Sequence, residues 1–139
     1  MTADIESLEL GRRFPVVLLA SNFINDADRE RRRSYLGCCA RHHPSGQVLL
    51  QGFPRDWTPN GEWFEQGAVR GRLRRFEQDG PVVSGEMEYV VEGRTVLHAF
   101  RSQLLTEEEL DDELRAVGLR RSRRLDEHGS WIEAVPVTA

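Results

Sequence analysis

The chain has 139 residues, a mass of 15.9 kDa and a net charge of −4, set by 23 acidic residues against 19 arginines with no lysine. With 30% charged and 39% hydrophobic residues it is not a disordered chain. No apolar run approaches the roughly 20 residues of a membrane span, the start MTADIESLELGRR lacks the basic-then-apolar order of a secretion signal, and the acidic balance argues against a general nucleic-acid binder. A single cytoplasmic domain over 1–139, with no membrane and no nucleic-acid partner, is the expectation.

Residues 14–20, FPVVLLA, form a short apolar run rich in β-branched side chains, the pattern of a strand buried on both faces of a parallel sheet. The small polar stretch SNFIN follows. Asn25 or Asp26 can cap the next segment, and Asp26, Asp28 and Glu30 complement a helix N-terminus. DADRERRRSYLGCCARHH reads as that helix, with Tyr35, Leu36, Cys39 and Ala40 on one face and Arg29 and Arg31 to Arg33 solvated. Pro44-Ser45-Gly46 ends it, and QVLLQGF, residues 47–53, is the next buried strand. Strand, helix and strand within about 40 residues predict a βαβ unit with parallel strands.

Residues 54–66, PRDWTPNGEWFEQ, read as an irregular aromatic loop. Segments 68–78, 82–91 and 94–105 then alternate in polarity, and Asp79-Gly80-Pro81 and Glu92-Gly93 punctuate them. These turn signals predict a three-stranded antiparallel meander. Val83, Met87, Tyr89 and Val91 should share one face of its middle strand; Val96, His98, Phe100 and Leu104 should share one face of its last. Thr106 and Glu109 form a capping box, with Leu110, Leu114 and Val117 at helical spacing and Gly118 as the stop. The acidic run Glu107 to Glu113 reads as a solvated helix face. RSRRLDE and SWIEAVPV flank His128-Gly129 as a closing hairpin, its arginines the exposed face of an edge strand.

The chain has no glycine-rich phosphate loop and no HExxH or GxSxG. Cys38 and Cys39 are adjacent, which suits neither an unstrained disulfide nor a metal pair. His42, His43, His98 and His128 show no ligand spacing, so no metal is expected; His42 and His43 sit where a helix end favours positive charge. Ligands of open α/β sheets bind beyond the carboxyl ends of the parallel strands. That rule points at Ser21, Asn22, Phe23 and Asn25, and at Gly52 to Trp57.

The order ADIESLELGRRFPVVLLASNFIN, helix, HPSGQVLLQGF resembles the middle of the class I S-adenosylmethionine-dependent methyltransferases. In that family an acidic residue after the third strand contacts adenine, here Asp4 with Ile5 beside it. The fourth strand ends in a small-polar motif at the methyl donor, here VVLLAS with Asn22 next. A helix and a PGG-like turn, here Pro44-Ser45-Gly46, lead to the fifth strand, VLLQGF. The tail LLTEEELDDELRAVGLRRSRRLDEHGSWIEAV is similar to the family's last helix and antiparallel hairpin. The meander, as an insertion over 67–105, is similar to the substrate lid of small-molecule members.

The resemblance implies an α/β fold: a partial Rossmann-like sheet of two parallel strands with a crossover helix, a C-terminal antiparallel hairpin and the inserted meander. It implies S-adenosylmethionine as cofactor, held by Asp4, Ile5, Ala20 and Ser21. It implies a small-molecule methyl acceptor facing Asn22, Phe23, Asn25 and Trp57, with His98 as base or polar contact. The family's glycine-rich first loop and second-strand acid have no counterpart here, so the chain is expected to be an N-terminally truncated or inactive form. The alternative is a non-catalytic module, self-associating or holding a partner chain through an exposed sheet edge.

Overall fold

The computed structural model describes residues 3–42, 46–54 and 56–137. His43, Pro44 and Ser45 lie outside the described residues. Along the chain stand a 3-10 turn (Ile5–Ser7), β1 (Val16–Leu19), a second 3-10 turn (Phe23–Asn25), α1 (Arg29–Arg41), β2 (Gln47–Gln51), β3 (Phe64–Gln66), β4 (Val69–Asp79), β5 (Val82–Val91), β6 (Arg94–Gln103), α2 (Glu107–Ala116), β7 (Leu119–Arg124) and β8 (Trp131–Pro136). They form two compact units, one of residues 1–56 with 105–139, the other of 57–104.

The first unit is a four-stranded sheet in the order β1-β2-β8-β7. β1 and β2 run parallel, Val16 beside Gln47 through Leu19 beside Leu50, and α1 connects them. β8 returns antiparallel along β2, and β7 pairs antiparallel with β8. Leu36 and Cys39 of α1, Leu110 and Leu114 of α2, and Val48 and Leu50 of β2 share one core. Val17 and Leu19 point into it, whereas Val16 and Leu18 are 45% and 60% exposed. The expectation that β1 is buried on both faces is thus corrected: alternation along a strand sends neighbouring side chains to opposite faces, and this core covers one. β1 is also the sheet's edge.

Helix α1 begins two residues later than its acids suggest. Asp28, not Asn25 or Asp26, is the cap, its Oδ1 accepting from Arg31 N–H at 3.2 Å. Asp26 instead accepts from Asp28 N–H at 2.8 Å and pairs with Arg31 at 3.0 Å. Arg32 is not solvated but 3% exposed. Its partner corrects the reading of the acidic run as well: Glu113, 4% exposed on α2, accepts from Arg32 at 3.2 Å and Arg33 at 2.9 Å, with Arg29 at 3.4 Å. Burial alone would raise the Glu113 carboxyl; the hydrogen bonds from Arg33 and Arg32 outweigh it and hold the group below its ordinary value. Thr106 caps α2, accepting from Glu109 N–H at 3.1 Å. Arg121 pairs with Glu107 at 3.4 Å and Asp111 at 3.0 Å, and Arg124 also meets Glu107, so the arginine run of β7 answers the outer acids of α2.

β2 starts at a close approach. A Cβ on Gly46 would lie 1.9 Å from Pro15 O, the carbonyl that accepts from Gln47 N–H at 2.9 Å. Backbone cannot yield there as a side chain would. Gly46→Ala is therefore expected to cost about 1–3 kcal/mol by overpacking, read as a lower urea midpoint. A midpoint equal to that of the parent would mean that β1 and β2 do not meet here.

The second unit is a four-stranded antiparallel sheet in the order β3-β4-β5-β6. Its extra strand, Phe64–Gln66, comes from the segment read as an irregular loop. Glu92 and Gly93 take φ of 49° and 76°, the pair of positive angles that a type I′ hairpin turn needs. Leu73, Met87 and His98 stand in one cross-strand row, with Gly71, Tyr89 and Val96 in the next. Leu104 falls beyond the end of β6. On the opposite face Glu88 is buried and accepts from Arg74 at 2.9 Å and Arg72 at 3.4 Å. Burial opposes ionisation of Glu88, and the bonds from Arg74 and Arg72 still hold its carboxyl low. The guanidinium carbons of Arg70 and Arg72 lie 4.7 and 4.5 Å from the centre of the Trp63 ring.

Candidate functional site at the carboxyl ends of the parallel strands

Beyond Leu19 the chain passes Ala20 and turns sharply. Ser21 and Asn22 take φ of 60° and 61°. Two consecutive non-glycine residues in the left-handed region cost about 1–2 kcal/mol each. Such a turn persists only where its surroundings over-determine it, and such strain concentrates at functional sites. Three ties hold this one. Gln51, the last residue of β2, accepts from Ser21 N–H through Oε1 at 2.7 Å. Asn25 N–H donates to Asn22 O at 2.9 Å. The Asn25 carboxamide oxygen accepts from Phe53 N–H at 3.1 Å, joining the exit of β1 to the exit of β2. A Cβ on Gly52 would sit 2.9 Å from that oxygen, so glycine permits the approach. Asn25 is 5% exposed; Ser21 and Phe23 are exposed and Asn22 is half-buried.

The Phe23 ring meets Tyr35 edge-on, with centroids 5.2 Å apart. Burial first, then the charge of Asp26, raises the Tyr35 phenol, with Arg31 opposing and Glu6 adding to the rise. The residue therefore stays a neutral donor. Glu6 brings in the other candidate segment. Asp4 and Ile5 are exposed, and the Asp4 side chain makes no capping bond to the 3-10 turn it precedes. Helix α1 holds this segment: Arg41 donates to Leu8 O at 3.0 Å and Glu6 O at 3.4 Å. His42 is buried at the helix end, where Nε2 accepts from Leu10 N–H at 3.0 Å. The ring proton is then on Nδ1, which donates to Cys38 O at 2.7 Å. His42 is a hydrogen-bonding clip between the end of α1 and the segment that precedes β1. Cys38 and Cys39 are buried free thiols, and burial pushes Cys39 up to about 12.

The structure thus gathers Ser21, Asn22, Phe23 and Asn25 around one turn and sets Asp4 and Ile5 on a segment tied to α1. Trp57 and His98 belong to the other unit: Trp57 is half-buried at its start, and His98 is exposed at mid-strand in β6. Gln51, Arg41 and His42 were missed as site residues. The one signal for Gln51 was its place, a polar residue closing an otherwise apolar strand. Among the described residues no cluster of His, Cys, Asp or Glu is arranged to hold a metal ion, and no helix is long and apolar enough to cross a membrane.

A sheet with two parallel strands, a crossover helix and an antiparallel closing hairpin is an α/β arrangement of the kind whose ligands bind beyond the carboxyl ends of the parallel strands. The chain has the class I S-adenosylmethionine-dependent methyltransferase fold. No family model and no curated protein sequence matches it. The likeness is to solved structures. One is S-adenosylmethionine-bound CalS10, an amino pentose methyltransferase from Micromonospora echinaspora involved in calicheamicin biosynthesis, at 19% identity and a TM-score of 0.69 over 97% of this chain and 63% of that one. Another is the sugar N-methyltransferase KedS8 from a Streptoalloteichus species, at 20% identity and 0.70 over 98% and 61%. A third is an S-adenosylmethionine-dependent methyltransferase from Clostridium acetobutylicum, at 13% identity and 0.73 over 100% and 64%. The chain therefore spans less than two thirds of the length of each.

Proposed function

We propose that this chain carries the adenine, methyl-donor and acceptor side of an S-adenosylmethionine-dependent methyl transfer to a small molecule. The supporting observation is the Ser21–Asn22 turn, pinned at the carboxyl ends of β1 and β2 in a methyltransferase fold. The residues present suit the cofactor. Asp4 offers a carboxylate with no capping duty, to accept from the adenine amino group, and Ile5 offers an exposed apolar side chain to pack on the ring. Ala20 and Ser21 are small enough to leave room beside the donor. When bound, S-adenosylmethionine supplies an electrophilic methyl group. The protein's part is to hold the acceptor in line with it. Asn22 and Phe23 offer polar and aromatic contacts to the acceptor, and Asn25 steadies the turn that presents them; Trp57, on the second unit, offers an aromatic surface of its own. His98, exposed on β6 of the second unit, is a group able to hydrogen-bond to a small molecule. The two free cysteines fit a reducing compartment such as the cytoplasm.

A second reading has its own observation. β1 is an edge strand presenting Val16 and Leu18, a template for pairing with another chain. A non-catalytic assembly module would use it. Isothermal titration with S-adenosylmethionine, run beside light scattering, separates the two. Micromolar binding supports the methyltransferase reading. No heat at millimolar ligand from a self-associated chain favours the module; a stable monomer that binds nothing counts against both.

A further inference from the structure

We propose that Gln51 is a positioning residue of this site: its Oε1 fixes the left-handed Ser21–Asn22 turn and thereby sets how tightly the chain holds S-adenosylmethionine. The second half of that statement rests on the methyltransferase reading above; the first half does not.

Gln51 is launched from an interior position. β2 lies between β1 and β8, and the residue's backbone is in register with Trp131. Its side chain crosses to a backbone amide 30 residues earlier in the chain. Ser21 needs that reach. Ser21 lies two residues beyond Leu19, the last residue of β1 paired with β2, so its N–H falls outside the ladder, and β1 has a neighbour on one side only. Of the other two ties, Asn25 N–H to Asn22 O acts one residue later and the Asn25 carboxamide oxygen accepts from Phe53 N–H, which leaves the Ser21 amide to Gln51. The bond is accepted by the carboxamide oxygen, so the chemistry of the side chain is testable. A carboxylate of the same length can accept in its place. A leucine of similar shape has no acceptor, and an asparagine stops one methylene short.

The test uses the chain with Gln51→Leu, Gln51→Asn and Gln51→Glu. Hydrogen exchange at the Ser21 amide and S-adenosylmethionine affinity by calorimetry are the readouts, with exchange at Leu50 as the control for the sheet. The expected result is lost Ser21 protection and affinity about five- to tenfold weaker in Gln51→Leu and Gln51→Asn, both restored in Gln51→Glu, with Leu50 unchanged. A merely structural role would move Leu50 too and would not be rescued by the carboxylate. Affinity within about twofold of the parent in both neutral variants, or a Gln51→Glu variant as weak as they are, overturns the proposal. If the parent itself binds no S-adenosylmethionine, the methyltransferase reading falls. Ser21 exchange then decides alone: unchanged protection in Gln51→Leu and Gln51→Asn overturns the role of Gln51, and lost protection restored by glutamate upholds its hold on the turn.

Discussion

Glu113→Leu is expected to lower the unfolding free energy by about 3–5 kcal/mol, the cost of leaving a buried charge without its partner. Arg32 and Glu113 are both buried, one on each helix, and both hydrogen-bond within the pair. Arg32 also donates to Asp26 O at 2.8 Å, which holds its guanidinium inside when the carboxylate is gone. Neither Arg33 nor Arg29 can compensate, since each carries the same sign as Arg32. The double variant Arg32→Met with Glu113→Leu should recover most of the loss, because two apolar side chains fill the space with no charge to desolvate. Urea unfolding of the four members of this cycle reads the coupling. Equal losses for the single and double variants would sink this account.

The same pair makes stability depend on acid. The folded carboxyl of Glu113 lies below its ordinary value, so its stabilisation is complete above the ordinary carboxylate range. It is lost as pH falls through that range toward the folded value, at roughly pH 5 and below. The Glu113→Leu variant should show a flatter loss of stability than the parent over that interval.

Leu114→Ala is expected to cost about 2–5 kcal/mol. Leu114 is fully buried, in the cluster that joins Leu36 of α1 to Val48 and Leu50 of β2. Truncation leaves a cavity between two helices and the sheet, and close packing lets it collapse only in part. Val96→Ala is the companion measurement: Val96 is exposed on β6, and its truncation should stay within about 0.5 kcal/mol of the parent. If the two variants unfold at the same urea concentration, Leu114 does not sit in the core described.

Local pattern carried most of the elements. The FPVVLLA and QVLLQ runs, the Thr106 cap and the paired turn residues Glu92-Gly93 each act through neighbours a few positions away, and each lies in the structure where that chemistry places it. Strand β3 escaped notice because three residues of no clear alternation become a strand only by pairing with β4. The left-handed turn escaped for a related reason. Serine and asparagine do not demand positive φ, and what holds them there is a glutamine 30 residues away.

Sequence by itself determined the period of most elements, the cap of α2 and the Glu92-Gly93 turn, and through the order of its motifs the methyltransferase likeness, because these depend on contacts along the chain. It also contained a clue that charge overrode. Arg32 stands four residues before Leu36 and three before Tyr35, and Glu113 three after Leu110, so helical spacing sets both on inner faces. Their charges nevertheless mark them as solvated. Only the tertiary structure brought the two faces together and made burial affordable, since a charge leaves water only where an opposite one meets it.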